Sequence, residues 1–493
     1  MEHTAVSEKL IAALNSQVHG VKSGFPRDAM KEYPYRFHPT VRNKSGQRIV
    51  PILDAIPNIL VSKKEDEIAA ALRVSDSGLD LYLSSNGTDL DAAKDHLLRV
   101  WSSLREIKEA SENRLLGQEL SFTTDRSSTL RDKLDDLLRL IYDFSIESLI
   151  LCFEKDIATP MRNFIFGVED GEEYITRPGD LEKSVWLTQD EVKLLLLFRY
   201  VYLKVDEYKS EGSEQGRKKK AQALAQHISK SRAYIELKDN ERLENGRMAL
   251  TSAEDTSFYS RCTSILQNGF QVRVPDAFRR FWDEVFTLDH SYRDLLHLSQ
   301  SSSMDALIHM PLSITIVPNG IAHQRILKYD LQTDSDLSYI LNGDADRADR
   351  SIIGHDESVS GDPESSSEII EPYHAKLLRL FKTKDMSMYH DGKHNPHSAC
   401  QLLAYLLNHK IQAFPYVGNS KLVCIGCWLY FQSQNDVAIK NFFPMWYDIR
   451  GSENRTSEGW VKPHLQNEKL AQCIETELTA KGRRQLIDLL FAQ

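Results

Sequence analysis

Hydrophobic periodicity changes character near residue 310, and with it the kind of structure the chain can build. From about 65 to 300 the apolar residues recur at helical intervals. After Ser127, the residues Leu130, Leu134, Leu137, Leu138 and Ile141 fall on the stripe of a core-facing helix. Thr188-Gln-Asp-Glu191 has the form of a capping box: the Thr188 hydroxyl takes the amide at 191 and the Glu191 carboxylate reaches back. The apolar run Val192–Phe198 behind it reads as a buried helix. Residues 208–217 read as a loop, and another helix is expected after Pro275, since proline suits a first turn. No fixed-period repeat is visible. Upstream, Pro26, Pro34, Pro39, Pro51 and Pro57 argue against regular helix over 20–60 and for an extended segment.

Beyond 310 the signals are shorter and mixed. Ser313–Val317, then Pro318-Asn319-Gly320, then Ile321–Tyr329 predicts a β-hairpin, because Asn-Gly supplies the positive φ of a tight turn. Residues 341–371 hold nine Asp/Glu against two Arg, a composition expected of a disordered or loosely held insertion. Within it, Asp344-Ala-Asp346 lacks the glycine and terminal glutamate of a calcium loop. From 372 onward, helices over 373–382, 396–409, 424–432 and 468–492 alternate with strands over 412–417 and 441–449, which indicates an α/β layered domain. The expected architecture is α+β overall. An extended Pro-containing segment covers 1–64, and a large α-helical domain 65–305. An α/β domain with a central sheet and helices on both faces covers 306–465, and a terminal helix 466–493.

The composition is that of a soluble globular chain, with 41% hydrophobic and 27% charged residues. A formal net charge of -10 gives no global sign of nucleic-acid binding, so any such binding needs a local basic surface. The N-terminus lacks the basic and apolar regions of a signal peptide, and the longest apolar run, Leu194–Phe198, is far too short to span a bilayer. Six sparse cysteines point to a reducing compartment, cytosol or nucleus. Arg217-Lys218-Lys219-Lys220 reads as a solvated helix face or a nuclear signal.

Chemistry concentrates in one stretch. His397-Ser-Ala-Cys400 is followed by Cys424-Ile-Gly-Cys427, and each pair opens an amphipathic helix. Two cysteines three apart share a helical face, and a helix N-terminus favours the thiolate. Three soft or borderline ligands with a fourth position open is the layout of a catalytic zinc. Such a zinc lowers the pKa of its water to about 7. Two other readings use the same residues. Cys400 as a fourth ligand would make a closed Cys₃His structural site, and Cys-Ile-Gly-Cys alone resembles a thioredoxin-like redox pair. Trp428, Tyr430, Phe431, Phe442, Phe443 and Trp446 read mostly as core.

Residues 310–465 resemble the fungal branch of the cytidine-deaminase-like superfamily. Zinc deaminases carry His-x-Glu and, some tens of residues later, Pro-Cys-x-x-Cys. The similarity extends to Gln401-Leu-Leu403, to Ser420-Lys421 before the cysteines, to Trp428-Leu-Tyr-Phe431 after them, and to Arg450-Gly-Ser452 with Trp460 beyond. It implies Zn²⁺ held by His397, Cys424 and Cys427, and hydrolytic conversion of cytosine to uracil in DNA or RNA, single- or double-stranded. It places Ser420 and Trp428 among the substrate contacts and suits Tyr416 and Trp460 for stacking on a base. Arg450 and Arg455 are expected to grip phosphate. Two departures stand out. Val423 replaces the usual proline, a mild change. Ala399 replaces the glutamate that shuttles protons, a severe one, because general acid–base catalysis contributes roughly 10²–10⁴-fold. Such a chain is either a pseudoenzyme or the product of a Glu-to-Ala replacement. The remaining functional expectations are a non-catalytic zinc-stabilised interaction protein and a free-nucleoside deaminase.

Overall fold

The computed structural model describes residues 7–8, 10–11, 46–63, 66–86, 90–118, 126–167, 174–177, 180–186, 188–245, 258–269, 277–301, 304–318, 323–329, 388–394, 396–421, 423–441, 445–449 and 460–491. The fold is α+β, with a largely helical N-terminal region followed by mixed sheet and helices. The chain divides into a larger unit of residues 35–316 and 416–421, and a smaller unit of residues 1–34, 317–415 and 422–493.

The larger unit opens with α1 (Gly46–Leu60), which contains Pro51 and Pro57. An interior proline costs about 3 kcal/mol, which is why the sequence argues against regular helix here. Ile52, Leu53, Ala55, Ile56, Ile59 and Leu60 are all buried, and that apolar burial outweighs the lost backbone bonds. Next come β1 (Ile68–Ser75) and β2 (Gly78–Ser85), an antiparallel pair with Ile68 opposite Ser85. This hairpin lies in a stretch that the periodicity assigns to helix. Ile68-Ala-Ala-Ala is wholly buried, so no polar residues alternate along it to give a strand away. Gly78 turns the hairpin at φ 152°, where a Cβ would meet the Pro311 carbonyl at 2.6 Å.

Helices come next: α2 (Leu90–Gln118), α3 (Arg126–Cys152) and α4 (Ala158–Phe166). After the antiparallel pair β3 (Tyr174–Arg177) and β4 (Asp180–Trp186) come α5 (Gln189–Lys209) and α6 (Glu214–Glu244). The set closes with α7 (Phe258–Gly269), α8 (Ala277–Val285), α9 (Thr287–Gln300) and α10 (Asp305–His309). The capping box forms at α5. The Glu191 amide donates to Thr188 Oγ1 at 3.3 Å, and the Thr188 amide donates to Glu191 Oε2 at 2.8 Å. Glu191 also pairs with Arg261. On α3 the stripe is buried at Leu137, Leu138 and Ile141. The helical core is aromatic: Phe198 of α5 stacks on Trp282 of α8 at 3.7 Å, with Phe278 and Phe286 around them.

Strand β5 (Leu312–Ile316) runs parallel to β2, and β8 (Tyr416–Asn419) runs antiparallel to β1. The order is thus β5-β2-β1-β8. Helix α1 packs closely on β8: a Cβ at Gly418 would lie 1.8 Å from the Leu53 carbonyl oxygen. The Asp54 carboxylate takes the Tyr416 hydroxyl at 2.8 Å and the Asn419 amide at 3.1 Å.

In the smaller unit, β6 (His323–Tyr329) pairs with β7 (Met388–His394). Both strands of the expected 313–329 hairpin therefore exist, but they do not pair with each other. The acidic insertion at 341–371 and the helix expected over 373–382 lie outside the described residues. Next are α11 (Ser398–Asn408), α12 (Ile425–Lys440), the short β9 (Asp448–Ile449) and α13 (Glu468–Phe491). No helix among the described residues is long and apolar enough to cross a membrane.

Candidate metal centre

Two helix starts build the centre. His397 is the N-cap of α11, with φ -61° and ψ 149°. Cys424 is the N-cap of α12, with φ -70° and ψ 164°, and its sulfur accepts the Cys427 amide at 3.5 Å. Both side chains project from extended backbone just before a helix, and Cys427 lies on the first turn of α12. His397 Nδ1 lies 3.3 Å from Cys424 Sγ and 3.2 Å from Cys427 Sγ, and the two sulfurs are 3.6 Å apart. Tetrahedral zinc with Zn–S near 2.3 Å and Zn–N near 2.0 Å calls for about 3.8 Å between sulfurs and about 3.5 Å from sulfur to nitrogen. The observed triangle matches within a few tenths of an ångström. The donor set, one imidazole and two thiols, is also the set that zinc prefers.

Without a cation, the electrostatics of the site favour the neutral Cys424 thiol. Cys427 is fully buried and Cys424 nearly so. Burial pushes the Cys424 thiol well above its usual range, the neighbouring Cys427 adds to this, and His397 opposes it. A bound cation would reverse that balance, and its binding would release protons. The α12 N-terminus adds positive potential at both sulfurs.

Cys400 is fully buried on α11, yet its sulfur does not join the converging group, which is His397, Cys424 and Cys427. It influences the buried Tyr430 hydroxyl instead. The described residues contain one other such group, Glu112, Asp305 and His309. There the Lys108 ammonium already lies 3.4 Å from Glu112 and is paired with Asp305.

Ala399 lies in the first turn of α11, wholly buried. Tyr416 is wholly buried and bonded to Asp54. Ser420 Oγ accepts the Ile68 amide at 3.0 Å. Trp428 is half-buried on the first turn of α12. Trp460 is 3% exposed and lies against Gly426, where a Cβ would meet the indole at 2.9 Å. Arg450, Arg455, Phe442 and Phe443 lie outside the described residues. Sequence reasoning misses Asp54 and Gly426. The clue for Gly426 is a glycine inside a helix start between two candidate ligand cysteines. Asp54 gives no local signal, since its partners are more than 360 positions away.

The model of a family of OTT_1508-like deaminases matches residues 396–464. The C-terminal region carries a deaminase-like domain of the cytidine-deaminase-like superfamily. No curated protein and no solved structure matches the chain. The matched stretch of the deaminase-like domain contains all three converging residues, His397, Cys424 and Cys427, and ends in the segment that holds Trp460.

Proposed function

We propose that the deaminase-like domain is a zinc-dependent hydrolytic deaminase acting on cytosine in DNA or RNA, and that Ala399 suppresses proton transfer in this chain. The observation that carries the reading is the approach of His397 Nδ1 to both sulfurs, with Cys400 left out of the group. His397, Cys424 and Cys427 would hold the zinc ion, which would supply a Lewis acid and water with a pKa near 7. Ligand geometry, water exclusion and proton transfer depend on the chain's own residues. The two helix starts fix the ligands, and burial keeps bulk water from the sulfurs. At Ala399 a methyl group stands where a carboxylate is needed to accept and return protons. Trp428 is the half-buried aromatic next to the centre and is assigned to the base. Arg450 and Arg455 are assigned to phosphate.

A second reading, a non-catalytic zinc-stabilised interaction protein, is favoured by one observation: the Ala399 methyl is fully buried. The two readings separate on Ala399→Glu. This variant, loaded with zinc, is incubated with cytidine and with defined DNA and RNA oligonucleotides, and uracil is read out. Deamination at least about 10²-fold above the parent chain is expected. Activity on cytidine with none on oligonucleotides selects a free-nucleoside enzyme. A zinc-loaded variant inert on every substrate leaves the interaction protein standing.

A further inference from the structure

The segment 460–466 ties together the parts of the smaller unit that carry the proposed zinc ligands. At its start, the Trp460 indole lies against Gly426, the residue between Cys424 and Cys427, so closely that any side chain at 426 would collide with it. The same ring sits 6.3 Å from Tyr430, one turn further along α12. At its far end, the Gln466 amide donates to Asn408 Oδ1 at 2.9 Å, and Asn408 Nδ2 donates to the His464 carbonyl at 3.2 Å. Asn408 is the last residue of α11, the helix that His397 caps.

The middle is pinned by the N-terminus of the chain. The Lys462 amide donates to Glu8 at 3.0 Å, and the Lys462 ammonium donates to Glu475 at 2.5 Å. Glu475 on α13 also accepts the Ser7 amide and hydroxyl, at 3.0 and 2.8 Å. Leu10 and Ile11 are buried. One short segment therefore touches the helix of the imidazole, the turn of the two thiols and the terminal helix.

We infer that Trp460 is a positioning residue for the metal centre: its indole backs the Cys424–Cys427 turn and holds both sulfurs at the separation zinc needs. The inference rests on the zinc reading above. It gives Trp460 a task other than stacking on a base, in keeping with a ring that has almost no exposed surface. Residues that orient metal ligands without touching the metal typically change affinity by about 10–100-fold when lost.

The test uses the full chain and compares wild type with Trp460→Ala, Trp460→Phe and Gly426→Ala. Zinc content is measured by mass spectrometry, zinc release to a chromogenic chelator by stopped flow, and the thiolate charge-transfer and d–d bands on the cobalt-substituted protein. Wild type is expected to hold one zinc. Trp460→Ala should release it at least about tenfold faster with altered d–d bands, and Trp460→Phe, which keeps a flat ring, should fall between. Gly426→Ala, which displaces the indole without removing it, should also speed release. If Trp460→Ala does not fold, the Phe and Gly426 variants carry the comparison. Wild type holding zinc, with every folded variant matching its release rate and spectrum, overturns the positioning role and leaves the zinc centre intact. Wild type binding no zinc overturns both.

Discussion

His96 is a buried imidazole with little reason to carry a charge. It is fully shielded on α2 and stacks on Phe144 of α3 at 4.1 Å and 7°, and neither ring nitrogen has a hydrogen-bond partner among the described residues. Burial, helped by Arg99, pulls its pKa from 6.5 down to about 3. Between those values the unfolded chain takes up a proton that the folded chain refuses, so stability rises with pH. The stabilisation is complete above pH 6.5 and falls away as pH drops towards 3. At about 1.4 kcal/mol per unit, roughly 2 kcal/mol is lost on going from neutral pH to pH 5. His96→Phe keeps the stack and removes the titration. Urea unfolding at pH 7 and pH 5 should show a smaller acid loss in the variant, by about that amount. Equal losses in both proteins would mean that His96 is not held neutral.

Among the elements, α1 and β8 meet with no room to spare. A methyl on Gly418 would sit 1.8 Å from the Leu53 carbonyl oxygen, and the obstacle is backbone rather than a side chain that can turn aside. Gly418→Ala must therefore push helix and strand apart, disturbing the bonds from Tyr416 and Asn419 to Asp54. The expected cost is about 3 kcal/mol or more, at the upper end of overpacking, read as a lower urea midpoint. A stability loss of less than about 1 kcal/mol would show that the contact yields. This pair also shows where sequence reading stops. The capping box at Thr188, the stripe on α3 and the two helix starts at 397 and 424 are all local patterns, readable from neighbours along the chain. The β1–β2 hairpin is not, because an alanine-rich strand buried on both faces carries no alternation. Nor is a proline-bearing helix such as α1, whose stability comes from apolar burial. The parallel pairing of β5 with β2 joins residues more than 230 positions apart, and a local turn signal at Asn319-Gly320 points to the nearer partner instead. The candidate zinc triad of His397, Cys424 and Cys427 is legible because zinc needs particular atoms at particular spacings. The segment around Trp460 is legible only as an aromatic in a loop, since its ties to Gly426, Asn408 and Glu8 are tertiary.

For the molecule as a whole, the deaminase-like domain and the helical region hold together by different means. The larger unit has an aromatic core around Phe198 and Trp282. In the smaller unit, a zinc ion would link the starts of α11 and α12 and offset the cost of two buried sulfurs. A ligand that binds only the folded form stabilises it by about 2.7 kcal/mol when present at 100 times its dissociation constant. Amides that exchange through opening of that unit slow by about 100-fold under the same conditions. Zinc removal by a chelator should therefore speed hydrogen exchange across 398–408 and 425–440 by about two orders of magnitude and leave 189–209 and 277–300 within a factor of two. Equal acceleration in both regions would mean that the units unfold together, with the ion stabilising the whole chain. Unchanged exchange in 398–408 and 425–440 would mean that the His397, Cys424 and Cys427 triangle is held by packing alone, which would remove the physical ground for hydrolytic chemistry at that site.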